Sequence, residues 1–208
     1  MSSSGLFGTP GALAAGFAVC ALLTPPLVGR LARWGFGQHV RDDGPATHGK
    51  KQGTPTAGGL AMVVAVCGVA LVLGRASPSV LAVCLLILGC GAVGFWDDYR
   101  KALLKRPLGL RARQKMLILL VLAALFSGAA VFQMGRGRDV ALPWGGTSIL
   151  SAAAAFALSV LTVLFFTNAV NLTDGLDGLA SGSVAIGGVA MSGRMLVRGR
   201  QEEALLCG

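Results

Sequence analysis

The sequence predicts an all-α integral membrane protein, a polytopic bundle of about six transmembrane helices with both chain ends on the outside. Three observations predict this fold. The 208 residues are 54% hydrophobic and only 13% charged, with a mean hydropathy of +0.71, whereas soluble domains carry about 25% charged residues. Apolar runs recur at the length, roughly 20 residues, at which a helix spans a bilayer. Basic residues collect in alternate loops.

The apolar runs lie within a single predicted transmembrane domain, residues 1–208. There are six segments: 11–33, 57–74, 79–96, 116–134, 148–170 and 179–197. The last is the weakest, because it is rich in Gly and Ser and contains Arg194. The first is not a cleavable signal peptide, since no Lys or Arg precedes it and its apolar part is too long.

The basic residues predict the orientation. Twelve of the 18 Lys and Arg lie in or beside the loops that join helices 1 to 2 and 3 to 4, and six lie on the other side. The positive-inside rule therefore places three loops in the cytoplasm, at about residues 34–56, 97–115 and 171–178. The net charge of +9 does not indicate nucleic-acid binding, because the basic residues lie at membrane edges.

The acidic residues concentrate in the same three loops. Six of the nine are there: Asp42, Asp43, Asp97, Asp98, Asp174 and Asp177. Ionisable groups at membrane depth are costly and usually mark a functional path or site. Adjacent carboxylates such as those of GFWDDYRK, residues 94–101, repel each other unless a cation or proton intervenes. Mg²⁺ takes one or two carboxylates plus substrate phosphates. The alternative is an exposed helix start, with Asp97 pairing Lys101 one turn on.

The first loop, RDDGPATHGKKQGTPTAGGL at residues 41–60, predicts a phosphate-binding helix start. Thr54-Pro55-Thr56 followed by Gly58-Gly59 can cap the second helix and leave N–H groups pointing at the cytoplasm. Lys50 or Lys51 could supply the counter-charge. The alternative is an ordinary turn with a polar cap.

The third loop, TNAVNLTDGLDGLA at residues 167–180, carries a polar residue at every third position. The series is Asn168, Asn171, Asp174 and Asp177. Three residues advance a helix by about 300°, so the series drifts only about 60° per step. If the fifth helix continues through the stretch, the four side chains share one broad face. The alternative is a helix that ends in an Asx-rich turn.

Two other patterns favour structural roles. Gly89-Cys90-Gly91-Ala92-Val93-Gly94 matches a dinucleotide-binding fingerprint, but it lies inside an apolar segment, where small residues predict close helix packing. Four of the five Cys lie in apolar segments without metal-type spacing, which is typical of small core residues.

Carboxylate pairs, a basic loop and a Gly/Thr helix start at a lipid boundary favour metal-assisted phosphate chemistry. The stretches RDDGPATHGKKQGTPTAGG, GFWDDYRK and NAVNLTDGLDGLA resemble the three signature loops of the phospho-N-acetylmuramoyl-pentapeptide transferase family. That family belongs to the polyprenyl-phosphate N-acetylhexosamine-1-phosphate transferase superfamily. The resemblance runs along essentially the whole chain. The pattern from His48 to Thr56 favours this family over relatives that transfer N-acetylglucosamine phosphate.

The resemblance implies a reaction at the cytoplasmic face of the bacterial inner membrane. Phospho-MurNAc-pentapeptide passes from UDP-MurNAc-pentapeptide to undecaprenyl phosphate, lipid I forms, UMP leaves and Mg²⁺ is required. In the family's pattern Asp97 and Asp98 serve the metal and the acceptor phosphate, as nucleophile or base, and Asp174 is a further catalytic candidate. The substrate-binding candidates are Lys51, Thr56, Asn168, Asn171, Asp174 and Asp177. A homodimer is compatible with the sequence, which does not decide the oligomeric state.

The sequence departs from the family's pattern in two respects. Ala57 stands where the first loop usually has Met, and the family has about ten membrane helices, with a further metal-binding aspartate and a histidine-rich loop expected beyond Gly208. We therefore expect the 208-residue chain to be a C-terminally truncated product that is inactive alone. The alternatives are an N-acetylglucosamine-phosphate transferase, a non-catalytic membrane fragment, and a transporter fragment with a cation relay, which predicts acids in mid-helix.

Overall fold

A computed structural model describes residues 9–36, 57–104, 109–141, 146–174 and 178–197. Within these ranges the chain forms six α-helices, one π-helical turn and a two-stranded β-hairpin. The elements are α1 (Thr9–Arg33), α2 (Gly59–Leu73), α3 (Pro78–Ala102), α4 (Ala112–Gly128), the π-turn (Ala129–Gln133), β1 (Asp139–Ala141), β2 (Thr147–Ile149), α5 (Ala152–Thr173) and α6 (Leu179–Val197). The predicted all-α membrane bundle is confirmed, with the small hairpin as an addition.

Several helices are long enough to cross a bilayer. Four spans in the described part of the chain meet the criteria of length and apolar composition: Gly11–Arg33, Pro78–Ala102, Ala112–Gln133 and Ala152–Thr173. The apolar helix α2 is shorter, at 15 residues. The chain is therefore a multi-pass membrane protein.

Each helix packs against the next one along the chain. Residues at the end of α1, the start of α2 and the end of α3 are buried together, and Lys115 near the start of α4 bonds to Asn171 near the end of α5. We call this end of the bundle the site end, and the other the hairpin end. Glycines of α3 allow its neighbours to pack closely. A Cβ on Gly89 would lie 2.9 Å from Leu122 Cδ2 of α4, and one on Gly91 would lie 3.1 Å from Val63 Cγ2 of α2.

The hairpin end is built from local contacts. Ser77 caps α3 by accepting a hydrogen bond from the Val80 N–H, and Pro78 occupies the first turn, where a missing N–H costs nothing. In the hairpin Asp139 pairs with Ile149 and Ala141 with Thr147. Helix α5 starts at Ala152, later than the predicted residue 148, because Thr147–Ile149 is held in the hairpin.

Polar side chains also connect helices inside the bundle. Ser127, which is fully buried, donates a hydrogen bond of 2.9 Å to the Ser159 hydroxyl and so joins α4 to α5. Two residues after Ser127 the helix widens into the π-turn, which ends the predicted segment 116–134.

Candidate active site at the site end of the bundle

An aromatic and aliphatic cluster fixes the end of α1 and the start of α2 against α3. Leu31, Phe36, Ala57 and Ala102 are buried together. The Phe36 ring stacks on Phe95 with 5.7 Å between the ring centroids. Because this cluster joins the end of α1, the start of α2 and the end of α3, it holds the main chain at residue 57 close to the last turns of α3.

The two adjacent carboxylates lie on those last turns, since α3 continues to Ala102. Asp97 is buried, and its Oδ1 accepts a hydrogen bond of 2.7 Å from the Leu110 N–H. Its Oδ2 accepts a bond of 2.5 Å from Lys101 Nζ. Asp98 Oδ2 accepts a bond of 3.1 Å from the Ala57 N–H. Main-chain donors from two different loops therefore orient the two carboxylates.

Two lysines balance the charge of the pair. Lys101 and Lys115 both interact electrostatically with Asp97 and with Asp98. Opposite charges at short range stabilise ionised carboxylates that would otherwise repel each other. The pairing of Asp97 with Lys101 that the sequence allowed is thus present, but it occurs inside a larger set of charged groups.

The Asn and Asp series lies partly on a helix. Helix α5 continues to Thr173 and carries Asn168 and Asn171, while Asp174 is its exposed C-cap residue. Asn168 Nδ2 donates a hydrogen bond of 2.8 Å to the Leu164 carbonyl within its own helix. Asn171 Oδ1 accepts one of 2.9 Å from Lys115 Nζ at the start of α4. The structure therefore joins Asn171 to the carboxylate pair through a shared lysine.

Three sequence-predicted site residues, Lys51, Thr56 and Asp177, lie outside the described residues. Thr54-Pro55-Thr56, predicted to cap α2, lies there too. The N-cap residue of α2 is Gly58, which makes no side-chain cap bond. Next to it the Ala57 N–H, in a stretch where the sequence predicts anion binding, is used by the Asp98 carboxylate.

A cavity of about 400 Å³ opens beside Lys115 and Asn171. It lies between α3, α4 and α5, and its walls include Val93, Leu119 and Phe166. The groove is thus apolar along most of its wall and polar where the lysine and the asparagine line it.

The described residues offer a cation two carboxylates. No group of three His, Cys, Asp or Glu gathers among them. Both oxygens of Asp97 already accept hydrogen bonds, whereas the Ala57 N–H is the one donor to Asp98 within the described ranges. This donor set suits Mg²⁺ that takes one or two carboxylates and completes its shell with water and substrate phosphates.

The family model described as glycosyl transferase family 4 matches residues 80–208, more than half of the chain. The chain belongs to glycosyl transferase family 4. The match begins in the first turn of α3 and so includes both carboxylates, Lys115 and Asn171. It begins after Ala57, so the main-chain N–H that donates to Asp98 from the start of α2 lies outside the matched residues.

Curated relatives of this family member carry the name phospho-N-acetylmuramoyl-pentapeptide-transferase. The protein of Pelotomaculum thermopropionicum is 45% identical over 172 residues, that of Desulforamulus reducens 44% over 198 and that of Desulforudis audaxviator 38% over 206. These alignments cover 79%, 90% and 92% of this chain, and 52%, 59% and 62% of the relatives. The chain therefore spans between half and two thirds of their length.

Leu110 and Lys115 belong to the charged cluster of this family 4 chain, although the sequence alone does not identify them as site residues. Leu110 acts through its main chain, which no side-chain pattern reveals. Lys115 was counted among the basic loop residues, but its contact with Asn171 joins positions 56 residues apart. The sequence Pro107-Leu108-Gly109 before α4 is a weak signal, because Pro and Gly so spaced predict a sharp change of chain direction.

Proposed function

We propose that this chain carries the carboxylate centre of an enzyme that transfers phospho-MurNAc-pentapeptide from UDP-MurNAc-pentapeptide to undecaprenyl phosphate, giving lipid I and UMP. One observation supports this most. Described residues from three stretches far apart in sequence, namely Ala57, the 94–101 segment and Asn171, meet at one charged cluster at the site end. The Ala57–Asp98 bond joins the first two, and Lys115 joins the second to Asn171 in the third.

The chemistry of the proposed reaction is a phosphoryl transfer. An oxygen of the lipid phosphate forms a bond to the sugar-bearing phosphorus, the bond between that phosphorus and the bridging oxygen breaks, and UMP leaves with the electron pair. Such a transfer depends mainly on positioning and on neutralising oxygen charge. Lys101 and Lys115 supply positive charge beside the carboxylates, and in the proposed reaction Asp97 or Asp98 removes a proton from the lipid phosphate or attacks as the nucleophile.

The proposed cofactor is Mg²⁺, held by Asp98 and Asp97 together with phosphate oxygens. When bound it would neutralise charge on the reacting phosphates. Around it, the Ala57 and Leu110 N–H groups keep each carboxylate in one orientation, and Lys101 fixes Asp97 further.

The groove between α3, α4 and α5 suits a lipid acceptor. Its apolar wall matches a polyprenyl chain, and Lys115 at its polar part matches a phosphate. The distribution of basic residues also supports a membrane location for the site end. Twelve of the 18 Lys and Arg lie in or beside the loops between the first and second and the third and fourth helices, so the positive-inside rule favours the cytoplasmic face of the inner membrane for the site end.

The test is UMP release in membranes that contain this chain, with UDP-MurNAc-pentapeptide, undecaprenyl phosphate and Mg²⁺. We expect release from the chain extended to the length of its relatives, and its loss by at least about 100-fold in Asp98→Asn, because the variant keeps the shape of the side chain and removes its charge. Release at the wild-type rate in Asp98→Asn would refute the role of this carboxylate.

Two further measurements test the choice of donor sugar and the activity of the 208-residue chain. Comparison with UDP-N-acetylglucosamine as donor distinguishes the two sugar-phosphate transfers, and faster turnover of that donor would contradict the proposal. Running the 208-residue chain beside the extended one tests the expectation of inactivity, which UMP release by the shorter chain would refute.

A further inference from the structure

We propose that Gly109 is a positioning residue of this site, because its backbone places the Leu110 N–H on Asp97. The inference rests on the proposed function and adds to it a residue with no chemical group of its own. The resemblance to known proteins assigns Gly109 no role.

The first observation is the backbone conformation. Gly109 has a φ of +54°, in the left-handed region that residues with a side chain rarely adopt. The next residue, Leu110, directs its N–H to Asp97 Oδ1 at 2.7 Å. The left-handed turn at Gly109 thus precedes the one main-chain hydrogen bond that Asp97 accepts within the described ranges.

The second observation is the space around the Gly109 Cα. A Cβ there would overlap the Asp97 carboxylate and would lie 2.8 Å from Lys101 Cε. The Asp97 side chain is held by α3, by Lys101 and by Leu110, so it cannot give way without losing one of those contacts. Any residue other than glycine would therefore displace Asp97, Lys101 or the chain at residue 109.

The third observation is a matched position elsewhere. Gly135, which follows the π-turn at the hairpin end, has a nearly equal φ of +63°, but a Cβ on it would meet nothing within 4 Å. An Ala at 109 and an Ala at 135 would both have to adopt a left-handed φ, while only the first would meet the carboxylate. The pair separates the positioning role from general backbone strain.

The experiment measures the chemical shift of the Leu110 amide proton by NMR, which does not depend on enzymatic activity. Protein labelled with ¹⁵N-leucine is placed in lipid nanodiscs, and Leu110→Ile identifies the Leu110 signal by its disappearance. We expect Asp97→Asn to shift the Leu110 amide proton upfield, because a neutral acceptor forms the weaker hydrogen bond. We expect Gly109→Ala to produce a shift of the same sign, and Gly135→Ala to produce none.

Kinetics of UMP release by the chain extended to its relatives' length give the second readout. We expect Gly109→Ala to lower kcat by between about 10- and 100-fold, the range that small misplacements of reacting groups produce. The KM for the UDP-linked donor should change less than about twofold, because an interaction lost mainly in the transition state lowers kcat. Gly135→Ala should leave both constants unchanged.

The outcomes separate the inference from the function on which it rests. An unchanged chemical shift of the Leu110 amide proton in Asp97→Asn would overturn the inference. Equal losses of kcat in Gly109→Ala and Gly135→Ala would also overturn it. Absence of UMP release from the unmodified extended chain would refute the proposed function, while the amide signals still decide whether Gly109 orients Asp97. If Gly109→Ala does not fold, the isosteric Asp97→Asn variant still provides the amide test.

Discussion

The two ends of the helix bundle are held together in different ways. At the hairpin end the contacts are local, since the Gly74 N–H bonds to the Ala70 carbonyl, the Ser77 N–H to the Gly74 carbonyl, and β1 pairs with β2 across a short loop. At the site end they are long-range, since Asp98 binds the main chain 41 residues away and Lys115 binds Asn171 56 residues away. Hydrogen bonds between residues close in sequence stabilise turns. Hydrogen bonds between residues far apart in sequence, such as those at the site end, bring charged side chains from different helices close to each other.

This difference shows where polar groups serve stability and where they serve chemistry. A turn needs main-chain bonds only, and its side chains can vary with little effect. Two carboxylates and two lysines in one cluster are a costly arrangement near a membrane. Their presence together at the site end therefore indicates a functional site. Matched substitutions at the two ends test this interpretation.

The largest effect is expected for Asp97→Ala. The change leaves the Leu110 N–H and the Lys101 ammonium without their carboxylate partner, so it should destabilise the protein by about 2 kcal/mol. It should also lower UMP release by the extended chain at least about 100-fold. The control is Asp139→Ala, because Asp139 is an exposed aspartate at the hairpin end. Unfolding in mixed micelles and UMP release measure the two effects, and equal losses in both variants would contradict the comparison.

A smaller effect is expected from the Lys115–Asn171 bond, which can be isolated by a double-mutant cycle. Both side chains are only partly covered, so Lys115→Met and Asn171→Ala should each cost less than about 1 kcal/mol of stability. Each should lower kcat/KM of the extended chain about tenfold, a loss of roughly 1.4 kcal/mol in the transition state. The double variant should be little worse than either single one. Fully additive losses would mean that the two residues act separately.

The helices were largely predictable from the sequence, because apolar runs and charge asymmetry report bilayer spanning directly. The six predicted segments correspond to α1 to α6, with ends that differ by up to six residues, as where α3 continues to Ala102 beyond the predicted residue 96. The hairpin was not predicted, since three-residue strands such as Thr147–Ile149 carry too short a pattern and adjoin the apolar run of α5.

The sequence identified several side chains of the charged cluster but none of its main-chain donors, and the roles of those side chains in a reaction remain predictions. Asp97, Asp98 and Asn171 were recognisable because carboxylates and amides at a membrane edge need a reason to be there. The donors from Ala57 and Leu110 were not recognisable, because every residue except proline has an N–H and only the fold decides which one faces a carboxylate. How Lys51, Thr56 and Asp177 act remains a prediction, since they lie outside the described residues.

An alanine with a left-handed backbone conformation occurs at each end of the bundle, and the two alanines allow a finer comparison. Ala57 has a φ of +66° and Ala76 a φ of +49°. Glycine adopts this conformation without steric cost, so Ala57→Gly and Ala76→Gly should each raise the free energy of unfolding by up to about 1 kcal/mol. Only Ala57→Gly should lower UMP release by the extended chain, by a few-fold, because a more mobile N–H holds Asp98 less well. Unchanged release in Ala57→Gly would show that the Ala57 N–H does not limit the rate.

The smallest effect is expected between the two ends, at the Ser127–Ser159 hydrogen bond. Ser127→Ala and Ser159→Ala, alone and combined, should give a coupling energy of about 0.6 kcal/mol, because polar contacts between membrane helices have alternatives in the unfolded state. UMP release by the extended chain should not change, since this bond joins α4 to α5 away from the charged cluster. Unfolding of the four proteins in the cycle measures the coupling. A loss of release in the double variant, with the fold intact, would show that the packing of α4 on α5 controls how Lys115 meets Asn171, and the site would then extend into the middle of the bundle.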